Sequence, residues 1–78
     1  MAKSDFERDQ LRKLGKAIAS ARGKKGVTQE TLADLSGLHR TYIGSLERGE
    51  RNPSYISLLK VTDGLGVSLS ELVNGLGD

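Results

Sequence analysis

Apolar residues recur along this chain at helical intervals and never alternate as a strand would require. Leu11, Leu14, Ile18 and Ala21 fall at steps of three, four and three, on one helix face. Ser4 and Glu7 stand ahead of that face at capping-box spacing, so a first helix is predicted to begin near Asp5. Gly23 and Gly26 bracket its end. Thr28 caps a second helix, with Gln29 and Glu30 in its first turn; position 31 holds Thr rather than an acid, which leaves that box incomplete. The second helix is predicted to end at Ser36-Gly37. His39, a mediocre cap, opens a third running to about Arg48 and ending at Gly49. Pro53-Ser54 opens a fourth, with an expected inward face of Tyr55, Leu58, Leu59, Thr62 and Leu65, closed by Gly66. Ser68 and Glu71 form another capping box, stapled by Val67 and Leu72, and the fifth helix carries Leu69, Leu72, Val73 and Leu76. The pattern predicts a single all-α domain of five short helices across residues 1–78.

The segment TQETLADLSGLHRTYIGSL, from Thr28 to Leu46, carries more information than the rest. Leu32, Leu38, Ile43 and Leu46 can point inward, Ala33 is small enough for two backbones to approach, and Gly37 can adopt the positive φ that ends a helix. That is the pattern of a helix-turn-helix over about residues 28–48. Its second helix has the form of one that lies in the DNA major groove.

Composition narrows the chemistry. The 78 residues include no cysteine and one histidine, which excludes a disulfide framework, a thiolate or all-histidine metal site and a cysteine nucleophile. No nucleophile stands with a base and the acids do not cluster as ligands, so neither enzyme, cofactor nor metal site is expected. No small-molecule pocket is suggested by so short a chain. No secretory signal and no apolar run of roughly 20 residues is present, so a cytoplasmic location and no membrane partner are expected. Net charge is only +2, but its distribution is uneven. Lys3, Arg8, Arg12, Lys13, Lys16, Arg22, Lys24 and Lys25 face three acids in the first 25 residues, whereas from Ser54 onward only Lys60 is basic. Such an end either attracts phosphate or is the solvated face of an amphipathic helix.

The TQETLA opening, Ser36-Gly37-Leu38, the RTYIGSLERGERNPS run and the LGVSLSEL ending together resemble the lambda repressor/Cro-type, or XRE, helix-turn-helix family. The resemblance spans about Leu14 to Val73 and is nearest to the controller proteins of restriction–modification systems. It implies a lambda-repressor-like fold with the helix-turn-helix formed by helices 2 and 3, and double-stranded DNA as partner.

If the third helix enters the groove, the inward Ile43 and Leu46 leave Arg40, Thr41, Gly44 and Ser45 facing DNA, with His39 and Tyr42 at the margins. Arg40, Thr41 and Ser45 match the family's base-contacting positions. A guanidinium can bind guanine O6 and N7 together, so Arg40 either reads a base or contacts a phosphate. Gln29 matches a phosphate-contacting position at a helix N-terminus, where free N–H groups and the dipole favour an anion. Arg48, Arg51 and Asn52 are further candidates for the DNA backbone or for plain surface. The resemblance also implies a buried ion pair of Arg22 with Glu47. Tyr55 is assigned to the core.

A single reading head selects poorly, so the resemblance implies a homodimer on a palindromic operator. The dimerisation region is expected at about residues 54–76, through a patch of Ile56, Val61 and Leu76. Glu30 and Asp34 lie one turn apart on the exposed side of helix 2. They are either solvated acids or, by resemblance to lambda repressor, a contact for RNA polymerase. The expected function is a sequence-specific transcription regulator that controls its own operon as repressor and activator. An antitoxin that also binds a toxin, and a helical protein-interaction module without DNA binding, are the alternatives.

Overall fold

The computed structural model describes residues 3–74 and 76; the chain ends of the expected 1–78 domain lie outside that range. Five helices follow in order: α1 (Asp5–Lys25), α2 (Gln29–Ser36), α3 (Arg40–Glu47), α4 (Tyr55–Leu65) and α5 (Leu69–Asn74). Among the described residues there is no strand.

Local chemistry sets the helix ends. Ser4 accepts the N–H of Glu7, Thr28 that of Thr31, and Ser54 that of Ser57, each satisfying a donor that the helix itself cannot. The Ser68–Glu71 box is reciprocal: each backbone N–H donates to the other's side chain at 3.0 Å. Gly37 closes α2 at φ +68°, a conformation that a side chain would strain, and so permits the tight turn into α3. His39 caps α3 by backbone alone, with no side-chain hydrogen bond.

Ile18, Leu32, Ile43, Leu46 and Val61 are the fully buried centre, joined by Ala33, Leu65 and Leu72. Two glycines inside helices set how close the elements come. A Cβ on Gly15 of α1 would stand 2.5 Å from the carbonyl oxygens of Leu46 and Glu47, so α1 lies directly against the end of α3. A Cβ on Gly64 of α4 would collide with Ser36 Oγ of α2, which is buried with no hydrogen-bond partner.

The inward face of α4 is the expected one in part: Thr62 and Leu65 are buried and Leu58 packs on the core. Val61, Thr62, Gly64 and Leu65 are buried, whereas Tyr55 is exposed and does not join the core. Val61 therefore cannot contribute to an exposed dimer patch, as the sequence reading had it. The physical reason is Gly64: it turns toward α2 because it has no side chain, and a pattern of apolar residues does not register a buried glycine. Ile56 is exposed, and Leu76 is half-buried.

Candidate nucleic-acid interface

A charged network holds the three helices around the turn in one arrangement. Arg22 of α1 donates from Nε and Nη2 to the two carboxylate oxygens of Glu47 on α3, at 2.7 and 3.1 Å. Its Nη1 donates to the Val27 carbonyl in the α1–α2 turn at 3.0 Å. Glu47 also accepts from Gln29 Nε2, at the first position of α2, at 2.9 Å. The Glu47 side chain is 7% exposed and that of Arg22 23%. Hydrogen bonding to Glu47, opposed by burial, raises the Arg22 guanidinium further above its ordinary value. Gln29, expected to meet a phosphate through its side chain and the free backbone N–H groups, commits one amide N–H to Glu47 and keeps a second donor. Its place at the head of α2 is unchanged. Nothing in sequence spacing marks Gln29 as the third member of this network, because the three residues come from three helices.

The first turn of α3 points outward. Arg40 and Thr41 are exposed, and Arg40 Nη1 donates to Glu30 Oε2 of α2 at 3.0 Å, with both side chains about two thirds exposed at 67% and 68%. An exposed pair of this kind contributes about 0–1 kcal/mol, so Arg40 can exchange it readily for another partner. Asp34, one turn further along α2, is exposed.

The next turn of α3 is less open than its sequence suggested. Ser45 is 8% exposed and its hydroxyl donates to the Tyr42 carbonyl at 2.7 Å, which commits its proton and leaves its oxygen as an acceptor. Gly44 is buried beneath the side chains of Arg48 and Gln29; a Cβ there would lie 3.1 and 3.4 Å from them. Of the four positions expected to face DNA, Arg40 and Thr41 are fully open, while Gly44 and Ser45 are recessed.

Beyond α3, Arg48 donates to both carboxylate oxygens of Glu50, at 3.0 and 3.1 Å. Those bonds raise Arg48 and hold the Glu50 carboxyl below its usual range, with the charges of Arg48 and Lys3 acting in the same direction. Gly49 is pressed on the α1 backbone at Arg12, and Lys3 Nζ donates to the Glu50 carbonyl at 3.1 Å. The loop is thus fastened to α1. Arg51 stacks over the Tyr42 ring at 5.8 Å, and Asn52 beside it is exposed. Gly37, Leu38, His39, Thr41, Tyr42, Ser45, Arg51 and Ser57 surround a shallow hollow between α3 and the start of α4. Arginine guanidinia at both ends of α3 thus flank an exposed recognition turn.

A helix-turn-helix family model matches residues 18–72, which contains α2, the turn, α3 and the helices that buttress them. The chain belongs to the helix-turn-helix family of DNA-binding transcription regulators. It is 48% identical over 64 residues to the uncharacterised HTH-type transcriptional regulator y4dJ of Sinorhizobium fredii, covering 81% of this chain and 83% of that one. It is 42% identical over 64 residues to the control protein C.SmaI of Serratia marcescens, covering 82% and 76%. The crystal structure of the restriction–modification controller C.AhdI from Aeromonas hydrophila superposes with a TM-score of 0.78 at 47% identity, covering 80% of this chain and 94% of that one. The family resemblance read from the sequence and the all-α, lambda-repressor-like fold of five helices both stand. This family regulates transcription and is not enzymatic. No helix among the described residues is long and apolar enough to cross a membrane.

Proposed function

We propose that the protein is a homodimeric controller of the restriction–modification type, which binds a palindromic operator and regulates its own operon. One observation carries the reading. The exposed first turn of α3 presents Arg40 and Thr41 between the head of α2 and the arginines that follow α3. That is a surface with a base-reading centre and a phosphate-binding margin. The family relatives named as controllers support the same class.

Arg40 reads guanine by a bidentate contact, Thr41 and the recessed Ser45 meet neighbouring bases, and Gly44 lets the helix approach closely. The N–H groups at the head of α2 take one phosphate, and Arg48, Arg51 and Asn52 take others. His39 and Tyr42 stand at the edge of the contact. Two such heads joined by a two-fold axis read half-sites about 34 Å apart. Ile56, exposed in the first turn of α4, supplies the self-association surface. Glu30 and Asp34 lie on the exposed side of α2, where they face RNA polymerase in the activating complex. Arg40 leaves Glu30 when it engages a base, so the carboxylate is uncovered on bound DNA.

A binding-site selection with purified protein, repeated with Arg40→Ala at several salt concentrations, tests this. The expected result is a palindromic consensus whose symmetric guanines lose preference in the variant, at a cost of about 1–3 kcal/mol per contact. Binding that is flat across sequences would overturn it.

A further inference from the structure

Much of the basic charge of α1 is turned away from the recognition helix. Gly15 and Arg22 mark the side of α1 that meets α3. Ala17, Ser20, Ala21 and Lys24 fall on a different side at helical spacing, and there α1, the α4–α5 turn and α5 enclose an open groove. Its floor is apolar: Ala17 and Ala21 of α1, Val67 of the turn and Leu76 are half-buried there, over the core residues Leu65 and Leu72. Lysines 13, 16, 24 and 25 line its α1 side. Lys13 pairs with Asp9 at 3.4 Å, while Lys16 and Lys24 are exposed. The Lys25 ammonium closes the far end, 3.7 Å from where a Cβ on Gly66 would stand. The one acid on the lining, Glu71, already accepts the Ser68 N–H as a helix cap.

We propose that this groove docks an acidic amphipathic helix of a partner protein. Charge complementarity selects the occupant: ammonium groups beside an apolar floor match a leucine stripe bordered by carboxylates. A phosphate backbone would meet the lysines but has nothing to lay on the half-buried Val67 and Leu76. The span from Lys13 to Lys25 is about 18 Å, the length of three helical turns, which suits anchors at i, i+3, i+4 and i+7. Ala17, Ser20 and Ala21 are small enough for a second backbone to approach, and the lysine stems can cover its flanks. Because the groove lies away from α3, a partner can sit there while the recognition turn is on DNA. The inference is independent of the proposed operator and of Ile56, and it assigns Leu76 to the groove in place of the dimer patch.

The test uses the full chain and a fluorescein-labelled 14-residue model peptide carrying a leucine stripe flanked by glutamates. Anisotropy measures affinity, and 15N amide shifts locate the site. The expected shifts fall in residues 13–25 and 65–76. Affinity is expected to drop at least about tenfold in a Lys16→Glu/Lys24→Glu variant, and to fall as salt rises from about 50 to about 500 mM. Circular dichroism checks that the variant is folded, and its operator affinity should stay within about threefold. A peptide with serines in place of the leucines should not bind. The proposal is overturned by no binding to the unaltered chain, by equal binding of the serine peptide, or by shifts centred on α2 and α3.

Discussion

Glu47 shows how one carboxylate fixes the angle of a reading head. It accepts from Arg22 and Gln29 at once, so α1, α2 and α3 share a single buried anchor. Replacing Glu47 by Ala strands the Arg22 guanidinium, which is 23% exposed and so partly relieved by water. The expected loss is about 2–4 kcal/mol, below the upper range for a fully buried pair, read from urea unfolding. Glu50 makes a different contribution because it is exposed. Its folded carboxyl is held below the ordinary value by Arg48, so the stabilisation is present above that value and lost as pH falls through the lower, folded one. The stability difference between the protein and its Glu50→Gln variant should therefore shrink as unfolding is measured at successively lower pH below about 4.5. A difference that stayed constant across that window would show that the Arg48 contact contributes nothing.

At the scale of elements, two glycines set the spacing of the helix-turn-helix against its supports. Gly15→Ala would drive a methyl group into the Leu46 and Glu47 carbonyls, which are backbone and cannot turn aside. The expected cost is about 1–3 kcal/mol, with α3 displaced and operator affinity reduced along with stability. The α2–α4 contact behaves otherwise, because its obstacle includes the orphaned Ser36 hydroxyl. Ser36→Ala removes a buried polar atom that bonds to nothing. It should leave stability unchanged or raise it by up to about 1 kcal/mol in thermal unfolding. A large loss would mean that the hydroxyl has a partner in solution.

For the whole molecule, the distribution of charge and exposed apolar surface decides which faces meet which partners. The α3 face takes DNA in the proposed reading, so the slope of log affinity against log salt should fall by about one for each phosphate contact removed, as in Arg48→Ala. Self-association is assigned to Ile56 because Val61 lies in the core. If the proposed dimer forms there, an Ile56→Glu variant should sediment as a smaller species than the parent at equal concentration, and lose binding to full palindromes more than to half-sites. An unchanged dimer would move the interface elsewhere.

The five helices, their serine, threonine and glycine ends and most of the core were legible in the sequence, since caps and apolar periodicity are local rules. Ser4, Thr28, Ser54 and Ser68 stand at the helix starts that they predict. The burial of Val61 and Gly64 in α4 was not legible, because Gly64 contributes no apolar side chain to a pattern yet lies directly against α2. Nor were the Gln29 contact, the Arg40–Glu30 pair and the closure of Ser45 on Tyr42. The first two join residues from different helices; the third is a bond within α3, from a serine to the carbonyl three residues before it, which the spacing permits but does not require. Sequence alone determined where helices begin and end and which family they belong to. Only the tertiary structure decided which polar side chains remain free to meet DNA, because that depends on helices packing against one another.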